Sequence, residues 1–224
     1  MILSRRTLIV FLVAAPFPAL AQTQAAPCCG PITPQGERLR ALLDASGVDH
    51  LWRAGYLVDW QTGVETGTDG TASMRHHTHC SAFAAAMSVR LGVYLLRPPE
   101  HGQTLLANGQ VHWLETAAAE AQGWRRLTDL VTVQTRANHG DFIVALVENP
   151  NNALPGHVTI VRPSEIGAEE LEQRGPLITQ AGTINYRSAH LDIGMRHHEG
   201  AWLPGSKGAV RFYAHAVDWS KLPI

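Results

Sequence analysis

Cysteine is scarce in this chain, with three among 224 residues. So few cysteines cannot build the disulfide framework of a small secreted scaffold, and an odd number leaves at least one thiol unpaired or bonded to another molecule. Positive charge is not in excess either, because 18 lysines and arginines stand against 19 aspartates and glutamates. A chain without a basic surplus has no overall charge attraction for nucleic acid or anionic lipid, so we expect no nucleic-acid partner.

Long apolar runs are missing after the N-terminal segment, where nothing approaches the ~20 apolar residues of a membrane-spanning helix. The N-terminal segment has a different pattern. Arg5 and Arg6 precede an apolar stretch, and an Ala-Leu-Ala sequence at 19–21 has the form of a cleavage site. Residues 1–21 are therefore predicted to be a secretory signal peptide, of either the general or the twin-arginine type. We expect a periplasmic or secreted mature protein without a membrane span.

The next segment, 22–34, is rich in Ala, Gln and Pro and has no periodicity. We interpret it as a flexible leader in front of a single domain, 35–224. It contains Cys28 and Cys29. Neighbouring Cα atoms lie about 3.8 Å apart, which is less than the lower end of about 4.4 Å for a relaxed disulfide. Whether these two cysteines bond to each other stays open at this point.

Periodicity in the remaining chain indicates helices first and strands afterwards. Apolar residues recur at helical spacing before Gly47 and again from Thr78, taken as an N-cap, to Gly92. Two further helices are predicted at 111–122 and 127–137, with a loop at 62–73. Strands are predicted at 141–147, 157–161, 177–180 and 210–217. This order predicts the α+β class, with N-terminal helices packed on a mostly antiparallel sheet.

Cys80 falls in the first turn of the helix that follows Thr78. A helix N-terminus presents unpaired backbone N–H groups and about half a positive charge, and both favour a thiolate over a thiol. The position therefore suggests a nucleophile, although buried cysteines in apolar helices are common.

A cysteine nucleophile needs an imidazole to take its proton and a third group to fix the tautomer of that imidazole. His157 opens a predicted strand after a turn-rich segment, so its side chain can project over a sheet edge toward a packed helix. Gln180 ends the next predicted strand, and its amide oxygen can accept a hydrogen bond from the ring. Asn185 is a second candidate for this third position.

Four short segments resemble the NlpC/P60 cysteine peptidases. Cys-Ser-Ala-Phe at 80–83 is similar to their Asp-Cys-Ser-Gly-Phe nucleophile segment, and Gly-Asp-Phe-Ile-Val at 140–144 resembles their Gly-Asp-Leu-Val-Phe strand. His-Val-Thr-Ile-Val at 157–161 is similar to their His-Val-Gly-Ile-Tyr segment, and Ile-Thr-Gln-Ala at 178–181 occurs where the family has its third polar residue. The segments keep the family's order, and the related CHAP amidases share the same plan.

The resemblance implies a papain-like fold, with Cys80 as nucleophile, His157 as general base and acid, and Gln180 as the orienting residue. It also implies hydrolysis of amide bonds in peptidoglycan peptides through a thioester, without a metal or an organic cofactor. Backbone N–H groups near Cys80 and Ser81 are expected to stabilise the oxyanion. His79 stands where the family has Asp, and we expect it to lie along the substrate cleft.

Two other functions stay open. Residues 74–80 place three imidazoles and a thiol within one short run that contains His76 and His77, and zinc accepts His and Cys together. The run lacks the spaced second ligand pair of a structural zinc site. Alternatively, the departures from the family around Cys80 fit a non-catalytic papain-like domain that binds wall peptides or a partner protein. Asp141 is expected to satisfy backbone donors in a turn.

Overall fold

The structure is a computed structural model that describes residues 27–68, 78–205 and 208–222. The predicted signal peptide and the histidines His76 and His77 lie outside these ranges. The helices within them are α1 (Pro34–Asp44), α2 (Cys80–Arg90), α3 (Leu106–Leu114), α4 (Ala117–Ala121), α5 (Leu130–Asn138), α6 (Ala168–Arg174) and α7 (Leu191–Met195). The strands are β1 (Tyr56–Val58), β2 (Glu65–Thr68), β3 (Arg125–Leu127), β4 (Phe142–Val147), β5 (His157–Val161), β6 (Leu177–Gln180), β7 (Tyr186–His190) and β8 (Arg211–His215).

These strands form two antiparallel sheets. The large sheet has six strands in the order β3-β8-β4-β5-β6-β7, and β1 pairs with β2 in a separate small sheet. The predicted α+β class and antiparallel sheet are confirmed.

The strand β4 lies in the interior of the large sheet, and both of its faces are buried. Phe142, Val144 and Leu146 pack into the core on the side of α2 and α3. The alternate residues, such as Ile143 and Ala145, pack into a second core formed with α5, α7 and Phe212. A two-sided core explains why this strand has a continuous apolar sequence instead of alternating polar and apolar residues.

The helix α2 runs through the first of these cores. Every residue from Cys80 to Ser88 is buried, and the helix packs against β5. The sequence predicted an apolar stripe on one face, yet Ala84, Ala85 and Ala86 are as inaccessible as Phe83. Small side chains around the helix allow the sheet and α3 to approach it closely, which fixes its N-terminus above the start of β5.

Several element boundaries differ from the sequence-based expectations. The helix predicted at 111–122 is interrupted after Leu114, because Thr116 caps a new helix through its side chain. The segment predicted as helix at 127–137 begins with the end of β3, and α5 starts after the N-cap Asp129. The predicted loop at 62–73 contains β2, whose four residues are exposed and therefore carry no hydrophobic pattern. The sequence pattern missed β1, β2, β3, β7, α6 and α7.

The described part of the leader is held against the domain. The backbone N–H of Cys28 donates to the carbonyl of Ile166, and the Asn138 side chain donates to the carbonyl of Gly30. Cys28 and Cys29 are bonded to each other, and Cys29 is buried. Cys80 is therefore the free thiol of the chain.

Among the described residues, no helix is both long enough and apolar enough to cross a membrane.

Candidate active site

Cys80 is the first residue of α2, as the sequence predicted, and its side chain is buried. The N-cap is His79 rather than Thr78, so the predicted cap is wrong, and the His79 side chain makes no capping hydrogen bond. The first-turn N–H groups of α2 therefore lie next to the sulfur without a cap from the N-cap side chain. The backbone N–H groups of Cys80 and Ser81 are among the donors that favour the thiolate.

Burial nevertheless raises the pKa of the Cys80 thiol, because an anionic sulfur loses hydration in the core. Hydrogen bonds from the backbone of Val158 and from the Thr78 side chain lower this pKa, but they do not outweigh burial. The backbone groups at the helix N-terminus favour the thiolate, as expected, but burial has the larger effect on the pKa of the thiol. The sulfur is a neutral thiol until a base takes its proton.

His157 and Gln180 lie next to each other at the ends of neighbouring strands. The ring nitrogen Nε2 of His157 lies 2.9 Å from the Gln180 Oε1, and both side chains are buried. The Gln180 Nε2 donates to the carbonyl of Ile184 at 3.3 Å. Because that carbonyl is only an acceptor, the amide nitrogen must face it, and the amide oxygen must face the imidazole.

This orientation fixes the tautomer of His157. An amide oxygen cannot donate, so Nε2 carries the ring proton and donates to Gln180. The other nitrogen, Nδ1, then keeps a lone pair and can act as a base. Burial lowers the pKa of His157, and the hydrogen bond with Gln180 opposes this shift without cancelling it. The imidazole is neutral near pH 7, which is the form that a general base requires.

Cys80 lies against the start of β5, next to the residue that follows His157. The backbone N–H of Val158, the residue after His157, donates to the sulfur. The imidazole is not among the hydrogen-bond partners of the thiol within the described residues. Catalytic hydrogen bonds are often long in ligand-free enzymes and shorten when substrate binds, so this arrangement is compatible with proton transfer.

Two cavities adjoin these residues. Cys80 lines a cavity of about 580 Å³ together with Ser81 and His79, and His157 lines a cavity of about 250 Å³ together with Gln180. Their walls share Thr78, Leu154 and Pro155. The sulfur and the imidazole thus face two adjacent spaces that a substrate could occupy at the same time.

The two expected substrate-binding residues have different surroundings. His79 lines the cavity of Cys80, and its Nε2 lies 2.9 Å from the Tyr56 carbonyl, which anchors the ring to β1. Ser81 also lines this cavity, and its carbonyl accepts a hydrogen bond from the Gln110 side chain. The Ser81 carbonyl therefore links α2 to α3 through Gln110. The backbone N–H of Ser81 interacts with the Cys80 sulfur.

Sequence reasoning missed His198, which stacks on His157. Their ring centroids are 5.2 Å apart, and the ring planes differ by 16°. Burial and the neighbouring imidazoles of His157 and His197 lower the pKa of His198 to about 4. A neutral ring therefore covers one face of His157 near pH 7. His198 lies in the irregular segment that follows α7, and nothing in its local sequence pattern indicates a contact with β5.

Gly194 is the second residue that the sequence did not reveal. A Cβ atom at this position would lie 2.7 Å from the Gln180 Oε1 and 3.2 Å from the Ile178 side chain. The absence of a side chain thus lets α7 approach the amide that orients His157. A glycine within a short helix gives no such signal in the sequence.

The remaining candidates have other partners. Asn185 accepts a hydrogen bond from the Gly182 N–H and donates to the carbonyls of Val48 and Leu51. Its side chain therefore connects two loops, and these hydrogen bonds do not involve His157. Asp141 forms an ion pair with Arg136, whereas the sequence assigned it to backbone donors in a turn.

The metal alternative rests partly on His76 and His77, which the structure does not describe. Among the described residues, no group of three or more His, Cys, Asp or Glu side chains could hold a metal ion.

A scan against protein-family models finds no match, and a search of curated proteins finds none either. The resemblance to NlpC/P60 peptidases therefore rests on the four short segments of the sequence.

Proposed function

We propose that this protein is an exported cysteine hydrolase that cleaves amide bonds in peptidoglycan peptides through Cys80, His157 and Gln180. The observation that carries the proposal is the hydrogen bond between His157 and Gln180, which gives His157 the tautomer of a base beside the only free thiol in the described chain. The fold that we propose is papain-like, with α2 as the nucleophile helix and β5 and β6 as the strands that carry the other two groups.

The proposed reaction starts from a neutral thiol and a neutral imidazole. As the sulfur attacks the substrate carbonyl, His157 Nδ1 takes the thiol proton, and a C–S bond forms. Backbone N–H groups of Cys80 and Ser81 stabilise the oxyanion. His157 then donates the proton to the amine as the C–N bond breaks. In the second half of the reaction His157 takes a proton from water as the water oxygen bonds to the thioester carbon, and this proton passes to the sulfur as the C–S bond breaks.

The surroundings of Cys80 and His157 favour proton transfer during the attack on the substrate over a resting pair of thiolate and imidazolium. Burial disfavours the thiolate and the imidazolium separately. Charge would therefore develop only while the oxyanion donors and the Gln180 oxygen stabilise it. Gln180 supports the imidazolium less than a carboxylate would, because its amide oxygen carries only a partial negative charge.

The proposed location is the periplasm or the medium. Its support is the arginine pair, the apolar stretch and the small-residue cleavage pattern within 1–21. These residues lie outside the described ranges, so the support comes from the sequence alone.

A non-catalytic binding domain is the second candidate, and the burial of the Cys80 thiol favours it. Within the described ranges the sulfur has no imidazole among its hydrogen-bond partners, and burial raises the pKa of the thiol. Such a domain would bind peptides in the cavity of Cys80 without cleaving them.

Digestion of purified sacculi separates the two candidates. We expect the protein without residues 1–21 to release peptides that mass spectrometry identifies, and we expect Cys80→Ala and His157→Ala each to reduce release by at least about 10³-fold. His50→Ala is the matched control, because His50 is exposed and lines neither cavity. Release by the Cys80→Ala variant at the rate of the unchanged protein would refute the proposed function.

A further inference from the structure

The hydrogen bond with Gln180 restrains one corner of the His157 ring but not the plane of the ring. The Nε2 atom lies 2.9 Å from the Gln180 Oε1, and a Cβ atom at Gly182 would lie 3.4 Å from the neighbouring Cε1. Both contacts are at one edge of the imidazole. The torsion that turns a histidine ring about its Cβ–Cγ bond has broad energy wells, so this edge can tilt without a large loss.

The plane of His157 matters because the Nδ1 lone pair lies in that plane. A ring that tilts about the Cβ–Cγ bond changes the direction in which Nδ1 accepts a proton. Proton transfer depends on this direction, since a catalytic group that is misplaced by about 1 Å can cost about 10²-fold in rate. A base in this site therefore needs a contact on the face of its ring.

His198 supplies such a contact. Its ring lies parallel to that of His157 within 16°, and the ring centroids are 5.2 Å apart. This geometry is in the range of offset-stacked aromatic pairs, which attract each other beyond the effect of burial alone. A tilt of His157 would drive one edge of its ring into His198 and separate the other edge from it.

His198 is itself firmly held by the backbone that follows α7. Its N–H donates to the carbonyl of Met195 at 2.8 Å, and its carbonyl accepts from the N–H of Ala201 at 3.0 Å. Met195 and Ala201 are both buried in the second core. The turn that carries His198 is therefore anchored on each side, and it presents the ring to His157 from a fixed position.

The charge state of His198 suits contact with a base that becomes protonated. Burial and the imidazoles of His157 and His197 lower the pKa of His198 to about 4, so its ring is neutral near pH 7. When His157 takes a proton in the proposed reaction, a neutral ring can remain against the imidazolium. A charged ring would repel it.

We propose that His198 is a positioning residue of this site, whose ring fixes the plane of the His157 imidazole and thereby the direction of its Nδ1 lone pair. The inference rests on the proposed function, and it adds a residue that the four short motifs do not contain.

Removing the stacked ring should slow catalysis, and replacing it with another flat ring should restore it. We expect His198→Ala to lower the rate of peptide release from sacculi by at least about tenfold, because His157 loses the contact on its face. His198→Phe should recover at least about half of the lost rate, since a phenyl ring can stack in the same place. His198→Tyr is a second ring-keeping variant, so that the comparison does not depend on one substitution.

Proton NMR of the His157 Nε2–H group tests the contact without a substrate. In His198→Ala the ring can tilt away from Gln180, so this proton should exchange with water at least about tenfold faster than in the unchanged protein. In His198→Phe the exchange rate should remain close to that of the unchanged protein. A thermal melt of each variant separates a local change at His157 from a loss of overall stability.

His139→Ala is the matched control, because His139 is an exposed histidine that lines neither cavity. Its rate of peptide release and its Nε2–H exchange at His157 should equal those of the unchanged protein. The control therefore separates the loss of the stacked ring from the loss of any imidazole.

The outcomes separate this inference from the proposed function. Unchanged Nε2–H exchange in His198→Ala overturns the positioning role, as does a loss of peptide release in both ring-keeping variants that is as large as in His198→Ala. Absence of peptide release from the unchanged protein refutes the proposed function. In that case faster exchange in His198→Ala, restored in His198→Phe, still supports His198 as the group that orients His157.

Discussion

Gln180 orients His157 through a side-chain amide whose oxygen and nitrogen both form hydrogen bonds. The oxygen accepts from the imidazole, and the nitrogen donates to the Ile184 carbonyl, so the amide cannot rotate without losing both contacts. At the scale of single residues, this fixed orientation determines which ring nitrogen is free. The sequence proposed Cys80, His157 and Gln180 as candidates. The tautomer of His157 follows from the hydrogen bonds of the Gln180 amide, and the neutral thiol follows from burial, and both exist only in the packed structure.

A charged orienting residue should change the pH dependence of catalysis. In Gln180→Glu a carboxylate would stand beside the imidazole and stabilise its protonated form, which raises the pKa of His157. The acid limb of kcat/KM should then move to higher pH by about one unit or more, because the base must be neutral. Rates measured against pH, with the peptide released from sacculi as the product, check this shift.

Gln173→Glu provides the control for added negative charge, because Gln173 is exposed and lines neither cavity. Its acid limb should remain where that of the unchanged protein lies. An unshifted acid limb in Gln180→Glu would show that Gln180 does not orient the base.

At the scale of secondary-structure elements, α7 supports the site without contributing a reacting group. Its Gly194 faces Gln180, and the helix is five residues long. So short an element has no periodicity to detect, which is why sequence reasoning missed it. Long or regularly patterned elements such as α2, β5 and β6 were located correctly, because their hydrophobic residues reflect burial.

Adding one methyl group to α7 should therefore impair catalysis. In Gly194→Ala the new Cβ would lie 2.7 Å from the Gln180 Oε1, so the amide must shift away from the imidazole. We expect kcat/KM to fall by about 10²-fold, the loss typical of a catalytic group misplaced by about 1 Å. Steady-state kinetics and a thermal melt, recorded for the same preparation, distinguish this loss from unfolding.

A second variant tests whether the effect passes through the amide. In a Gln180→Ala background, Gly194→Ala should have little further effect on kcat/KM, since the group that it displaces is already absent. Gly167→Ala is the control, because a Cβ there meets no atom within 4 Å. Additive losses in the double variant would contradict a positioning role for Gly194.

At the scale of the whole molecule, folding encloses two imidazoles in a site where protonation is unfavourable. Burial lowers the pKa of His157 and brings that of His198 to about 4, against an unperturbed value of 6.5. Below pH 6.5 the unfolded chain binds protons that the folded protein does not yet bind. The free energy of unfolding should therefore decrease as the pH falls from 6.5 toward 4.

Replacing one of these rings should make this decrease less steep. Each buried imidazole contributes at most about 1.4 kcal/mol per pH unit, and His198 contributes less because it is partly exposed. His198→Phe keeps an aromatic ring against His157 and removes one titrating group. Urea unfolding at pH 7, 6 and 5 measures the slope, and equal slopes for the two proteins would contradict the burial of His198 in solution.

The sequence by itself determined the class of the fold and the order of the chemical groups. Its apolar runs mark β4, β5 and α2, because strands and helices buried on both sides need hydrophobic residues at nearly every position. Short motifs also made Cys80, His157 and Gln180 the candidates for the site. Only packing determined the contacts between these residues. The register of β5 and β6 and the position of α7 depend on contacts between distant segments of the chain.

Tertiary structure also decided the charge states of the site. A helix N-terminus favours a thiolate, yet the core around Cys80 removes the water that would stabilise one. Likewise, His198 reaches His157 from 41 positions away in the sequence, a contact that no local pattern encodes. Hydration and long-range proximity are properties of the folded molecule, and they govern how the residues identified in the sequence can react.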